Sequence, residues 1–269
     1  MAFKVKHFIE LLETIAPLSL AEPWDNPGLQ VGSAAMGVKR VFVSLDPTLK
    51  AVRLAAASDA QLLFTHHPLI FKPIFKVETT AFPGDVIGSA LKQGVAIVSA
   101  HTNLDAAKGG INDILADLLG LHNVSVLSPV QTCDQAGLGR IGDLPEPVPL
   151  TIFAQKVNRA LGTARRPTRV GEGSRHIKRV AVVGGSGGSL VRLAHQKGAD
   201  LLLTGDVGHH TALEAAALGI ALLDGGHFRT EKVAFTQFAE HLAARCSGKG
   251  WAVEFESDEN EADPMILTD

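Results

Sequence analysis

Three stretches of the chain carry side chains that could grip a metal ion. Leu62-Leu63-Phe64-Thr65 runs into His66-His67-Pro68. Val95 to Ala100 runs into His101-Thr102-Asn103-Leu104-Asp105, and Ile220 to Leu223 leads through Asp224-Gly225-Gly226 into His227-Phe228-Arg229-Thr230-Glu231. Each opens as an apolar, strand-like run and ends in imidazole, twice with a carboxylate four positions on. Along a regular strand, adjacent side chains point to opposite faces, so neighbouring histidines could not share a site. Pro68 ends the strand, and at such an end both rings can turn toward one cleft. If His227 opens a helix, His227 and Glu231 lie on one face and can chelate. The first copy, His101 to Asp105, reads as an ordered loop.

Imidazole mixed with carboxylate suits Zn, Fe, Mn or Ni better than Mg or Ca. The candidates His66, His67, His101, Asp105, His227 and Glu231 are more than one tetrahedral ion uses. A pair of ions about 3.5–4 Å apart, as in two-metal hydrolases, accommodates them. The bland alternative for the His66-His67 pair is a capped, partly wet loop.

The elements that must position these residues alternate. Strands are expected at Val38–Leu45, Leu62–Thr65, Val95–Ala100, Ile177–Val183, Leu201–Thr204 and up to Leu223, with helices at Pro47–Ala57, Val86–Gln93, Ile111–Leu119, Leu150–Leu161, Leu190–Gln196 and Phe228–Arg245. That alternation argues for βαβ units and a largely parallel sheet. Residues 130–149, rich in Gly and Pro, read as a connection, Arg165-Arg166-Pro167 as loop-like, and the acidic stretch after the final strand (Trp251–Glu256) as solvated. Residues 38–67 align without a gap on 177–206, matching Lys39/Lys178, Arg40/Arg179, Val41/Val180, Val43/Val182, Val52/Val191 through Ala55/Ala194, Ala60/Ala199, Leu62/Leu201, Leu63/Leu202 and Thr65/Thr204. The fold class expected is α/β: two related lobes from an internal duplication, helices packed on mostly parallel sheets, and a metal cleft between the lobes. The lobes would span residues 1–127 and 128–269, with about 230–269 packing back on the first. Ligands in open α/β sheets bind at the carboxyl ends of strands, where all the candidate ligands fall.

With 269 residues, one or two domains are open. A hydrophobic content of 46% and a net charge of -3 describe a globular chain without the basic surface of a nucleic-acid binder. No uncharged apolar run approaches the ~18 residues of a membrane span. The opening segment, with Phe8, Leu11, Leu12 and Ile15 at helical spacing, reads as an amphipathic helix and not a signal sequence. Cys133 and Cys246 are isolated, which fits a reducing cytoplasm.

Two rival motifs compete. Gly137-x-Gly139-x-x-Gly142 matches a dinucleotide-binding pattern but lacks the preceding strand and following helix. Gly184-x-Ser186-x-Gly188 lies between strand and helix as a nucleophile elbow should, with Asp224 and His227 in triad order. Its counterpart in the first half, Leu45-Asp46-Pro47-Thr48, holds no such nucleophile, and binding a substrate phosphate on the loop's N–H groups is the better reading. His209 and His210 could contact substrate or be surface histidines.

The motifs His66-His67-Pro68-Leu69-Ile70-Phe71, His101-Thr102-Asn103-Leu104-Asp105, Gly184-Gly185-Ser186-Gly187, Thr204-Gly205-Asp206 and Gly226-His227-Phe228-Arg229-Thr230-Glu231 resemble those of the Nif-three-like proteins, often labelled GTP cyclohydrolase 1 type 2. Trp24 to Gly32 and Gly137 to Gly142 fall in order between them. The resemblance implies a dinuclear centre of two divalent ions, with His67 and Asp105 on one, His66 and His227 on the other, and Glu231 bridging. It implies His101 beside the ions, supporting the ligands or meeting substrate, and assembly as a homohexamer. Since imidazole's neutral and charged forms are both accessible near pH 7, His101 is also the candidate catalytic proton-transfer group. Many relatives carry an inserted domain mid-chain for which this chain has no room. The function expected is a metal-dependent hydrolase of a small phosphorylated or nucleotide-like substrate. The alternative is a non-catalytic metal-binding regulatory or scaffold protein.

Overall fold

A computed structural model describes residues 2–130, 133–162 and 167–265; Arg165 and Arg166 lie outside them. In chain order the elements are α1 (Val5–Ile15), β1 (Gly28–Val31), β2 (Arg40–Ser44), α2 (Leu49–Ala57), β3 (Leu62–Thr65), α3 (Gly84–Gln93) and β4 (Ala96–Ser99). There follow α4 (Thr102–Ala106), α5 (Ile111–Leu118), β5 (His122–Val130), β6 (Cys133–Pro149), α6 (Leu150–Ala160), β7 (Thr168–Val170) and β8 (His176–Ser186). The last are α7 (Val191–Gln196), β9 (Leu201–Gly205), α8 (His209–Leu218), β10 (Ala221–Asp224), α9 (His227–Gly248) and β11 (Glu254–Ser257). Contacts group the chain into two compact units, one of residues up to Leu104 together with those from Phe235 onward, the other Asp105–Ala234.

The first unit holds a five-stranded sheet in the order β1-β4-β3-β2-β11. Only β1 runs antiparallel to its neighbour. Leu62, Leu63 and Phe64 are wholly buried, as a parallel strand covered on both faces requires. Leu63, Phe42 and Ile97 pack with Val52 and Ala55 of α2 and Val86 and Ala90 of α3. On the other face Phe64 meets Phe8 of α1 edge-on at 5.1 Å and Phe235 of α9 at 4.9 Å. Helix α2 starts where Thr48 caps it, its hydroxyl accepting from Ala51 N.

The second unit holds a six-stranded sheet in the order β5-β6-β8-β9-β10-β7. Alternate residues feed two cores: Val180, Val182, Leu201 and Leu203 face α5 and α6, while Ala181, Leu202 and Leu222 face α7 and α8. This sheet is mixed and not mostly parallel, because β5, β6 and β7 join it antiparallel. Within the stretch expected as a connection, Cys133–Pro149 forms the long strand β6. Its reason is Arg140, 2% exposed: the guanidinium donates to both Asp113 oxygens, at 2.6 and 2.9 Å, and to the carbonyls of Gly137, Gly139 and Ala107. Gly139, at φ +67, stands where a Cβ would meet Val182 O at 3.0 Å, so the strand needs its glycine.

The two segments that align in sequence, 38–67 and 177–206, pair their strands in the same register. Val41, Phe42 and Val43 oppose Leu62, Leu63 and Phe64; Val180, Ala181 and Val182 oppose Leu201, Leu202 and Leu203. Leu62 opposes Ala96, and Leu201 opposes Ala221. In each sheet a short antiparallel strand flanks the third of these, β1 beside β4 and β7 beside β10.

The C-terminal stretch is not merely solvated. Glu261 accepts from Leu45 N, Asp46 N and the Ser44 hydroxyl at 2.7–2.9 Å, and Asp258 is buried.

Candidate metal centre

In the first unit, β3 ends where the amides of His66 and His67 both donate to Leu45 O, each at 3.1 Å. Two successive N–H groups aimed at one carbonyl break the strand's alternation, so both imidazoles come to the same side. Thr65 Oγ1 ties the bend by donating to His67 O. His66 Nδ1 donates to Ala100 O at 2.8 Å and His67 Nδ1 pairs with Asp46 Oδ1 at 2.7 Å. His101, immediately after β4, joins them: its Nδ1 pairs with Asp25 Oδ1 at 2.8 Å. The three rings have centroids 5.2–5.5 Å apart, and they offer ring nitrogens all within 4.8 Å of one another. The segment from His101 to Asp105 is not a loop, because Thr102 to Ala106 winds into α4.

Asp25 orients His101 and caps α4. One oxygen takes the His101 ring and the other takes the Thr102 amide and hydroxyl. Burial pushes its pKa up, but the hydrogen bonds from His101 and Thr102 outweigh that and hold it at about 2.

In the second unit, α9 begins at His227, and its first turn sets His227 Nε2 3.1 Å from Glu231 Oε2, as the four-residue spacing implies. His227 Nδ1 meets Asp206 Oδ2 at 2.6 Å. The hydrogen bond to Glu231, opposed by burial and reinforced by Asp206, raises the His227 pKa to about 9. Two carboxylates around one imidazole make a place that favours positive charge. Glycines make room for it. A Cβ on Gly205 would lie 2.4 Å from His227 N, and one on Gly185, at φ +62, would lie 2.0 Å from Glu231 Oε1. Asp105 is buried; its carbonyl accepts from Asn112 Nδ2, whose Oδ1 in turn accepts from Gly184 N.

These bonds bear on both readings of the Gly184–Gly188 loop. Gly184 N, Gly185 N and Gly187 N donate to Asn112, Thr230 and Thr204, so those three N–H groups are committed within the protein and not offered to a phosphate. The triad does not assemble either: Asp224 accepts from Val207 N and Gly226 N, while the carboxylates on His227 are Asp206 and Glu231. His209 and His210 sit exposed in the first turn of α8 with their rings 5.7 Å apart.

The four histidines share one feature. Each has Nδ1 against an oxygen acceptor: Ala100 O, Asp46, Asp25 or Asp206. In neutral His66, His67 and His101 the proton therefore sits on Nδ1 and Nε2 carries the lone pair, the usual way a protein readies an imidazole for a metal. His227 has a carboxylate oxygen at each ring nitrogen, so its Nε2 would give up a proton on binding one. The donor chemistry fits a divalent transition cation. Sequence reasoning missed Asp25, Asp46 and Asp206. Their signal was an Asp in the turns around the candidate strand ends: Trp24-Asp25-Asn26, Leu45-Asp46-Pro47 and Thr204-Gly205-Asp206.

Taken together, the chain is an α/β protein of two sheets whose histidine and carboxylate groups could hold a metal ion. The family model for Duf34/NIF3 (NGG1p interacting factor 3) matches residues 3–264, and the chain belongs to that family. Among curated relatives, the GTP cyclohydrolase 1 type 2 homolog of Clostridium perfringens is 32% identical over 97% of this chain and 98% of its own. That of Streptomyces coelicolor is 34% identical over 97% and 93%. Among solved structures, the Bacillus cereus protein related to NIF3 superposes with a TM-score of 0.94 at 27% identity, over 100% of both chains.

Proposed function

We propose that this protein holds two divalent metal ions and hydrolyses a small phosphorylated or nucleotide-like substrate. The observation that carries the reading is the common orientation of His66, His67, His101 and His227, each with Nδ1 engaged by oxygen. His67 and Asp105 would hold one ion, His66 and His227 the other, and Glu231 would serve both; the two sheets would descend from one duplicated βαβ unit. The shared strand register supports the duplication, and family membership supports the pairing of the two donor sets. When bound, such ions supply Lewis acidity to a phosphoryl or carbonyl oxygen. His101 is the proton-transfer group: Asp25 fixes its tautomer with the proton on Nδ1, so Nε2 is the atom that takes a proton, and the Asp25 carboxylate steadies the imidazolium that results. Copies of the chain assemble as the hexamer the resemblance implies, in the cytoplasm.

The test is a panel of phosphoesters and cyclic amides offered to protein loaded with Zn, Mn, Fe or Ni. Turnover is expected, and Glu231→Gln is expected to abolish it. His101→Asn is expected to retain metal while losing roughly 10²–10⁴ in kcat. Silence across the panel with both ions bound would contradict the hydrolase reading.

A further inference from the structure

Beside the three histidines of the first unit stand two exposed aromatic rings that the chemistry above does not use. Trp24 is 57% exposed and Phe71 is 44% exposed. Their ring centroids lie 5.6 Å apart with planes at 59°, so they form a notch and not a stacked pair. Each meets the His101 ring edge-on, Trp24 at 6.1 Å and Phe71 at 6.3 Å.

The notch is held from both sides. Asn26 Nδ2 donates to Ile70 O at 2.7 Å, Ile70 N donates to Gln30 Oε1 at 3.1 Å, and Gln30 Nε2 donates to Asn26 O at 2.7 Å. Residue 70, next to Phe71, is thus clamped to the turn that carries Trp24. On the other side of Trp24, Asp25 is fixed by His101 and Thr102. Exposed rings anchored through their backbone neighbours are preorganised for contact and lose little freedom when a partner arrives.

We infer that Trp24 and Phe71 form a stacking shelf for a planar aromatic ring, placing a heteroaromatic substrate beside His101. The assignment rests on the proposed site and narrows its substrate class to ring-bearing compounds. Base–aromatic stacking is strong enough to matter: removing one ring from such a platform costs on the order of tenfold in affinity or more. The occupant is a small molecule because both rings converge on His101, the candidate proton-transfer group.

The two tryptophans make the test direct. Trp251, which packs on Phe3 at 4.9 Å, is replaced in Trp251→Phe, leaving Trp24 as the sole fluorophore. Adenosine 5′-monophosphate, guanosine 5′-monophosphate and ribose 5-phosphate are titrated into metal-loaded and metal-free protein. The nucleotides are expected to quench Trp24 saturably, ribose 5-phosphate is not, and Phe71→Ala is expected to weaken the nucleotide response about tenfold. Quenching without turnover of any substrate would uphold the shelf while the hydrolase reading falls. Turnover whose KM is unchanged in Trp24→Ala, with no nucleotide quenching, would overturn the shelf and leave the hydrolase standing. Trp24 emission that shifts with protein concentration alone and ignores nucleotides would also overturn it, making the face a contact between copies.

Discussion

The two units run the same three strands in the same register, yet they finish them differently. Where β3 passes into His66 and His67, the corresponding positions after Thr204 are Gly205 and Asp206. The first unit puts imidazole directly on the strand end. The second places glycine there because the first turn of α9 must come within van der Waals contact, and that turn delivers His227 and Glu231. The ends of β2 and β8 differ as well. Leu45 N and Asp46 N hold the Glu261 carboxylate, whereas Gly184 N and Gly185 N hold Asn112 and Thr230. Strand ends that align in sequence thus carry unlike chemistry: one unit is closed by a charged residue from far along the chain, the other by neutral side chains packed on glycine.

The largest expected effects fall in the second unit. Arg140→Met would strand Asp113 and several buried carbonyls, and breaking a buried ion pair costs about 3–5 kcal/mol. Urea unfolding should show that loss, and a cost under about 1 kcal/mol would mean Arg140 does not hold β6 in place. Gly185→Ala is next. Its Cβ falls on Glu231 Oε1, so the purified variant should fold but lose bound metal, read by elemental analysis; full occupancy would mean Glu231 is not a ligand.

In the first unit, Glu261→Ala removes charge-assisted bonds to two amides and a hydroxyl, each worth about 1.5–3 kcal/mol, less the hydration the freed groups regain. A drop of about 2 kcal/mol by denaturation is expected. No change would show the C-terminal stretch to be as solvated as its composition suggests.

Acid sensitivity separates the units further. The Asp25 pKa is held below its ordinary 3.8, at about 2. A carboxyl depressed by folding stabilises the native state above 3.8, and that contribution fades as pH falls toward 2. Asp25→Asn should flatten stability against pH in that window, and an unchanged acid limb would remove Asp25 from the account. The smallest effect concerns the thiols: burial pushes Cys246 to about 11, while Cys133 is exposed. Native protein at neutral pH should be alkylated at Cys133 and spared at Cys246, which mass spectrometry would read.

How far the sequence alone reaches follows the same division. Hydrophobic runs of Leu, Val and Ile marked β2–β4 and β8–β10, because buried parallel strands have no polar face to blur them. The histidines stood out for the same reason, as polar residues at the ends of apolar runs. The β5–β6 pair did not, since its glycines and prolines look like a loop; only the structure shows Gly137 and Gly139 at positive φ within a strand, their carbonyls held by the buried Arg140. Asp25, Asp46 and Asp206 were hidden by distance and disguise: Asp25 meets His101 across 76 positions, and an aspartate in a turn reads as turn chemistry. Glu261 was lost for a related cause, since an acidic stretch looks solvated wherever its partners are backbone amides.

One measurement bears most directly on the claim that these imidazoles and carboxylates are ligands. Crystals of protein purified without chelator, with anomalous data collected at the metal edges and elemental analysis of the same sample, would count and identify the ions. Two ions per chain are expected, with Nε2 of His66, His67 and His227 and the carboxylates of Asp105 and Glu231 on them. Fully ordered side chains with neither ion bound after metal loading, or ions bound elsewhere, would contradict it.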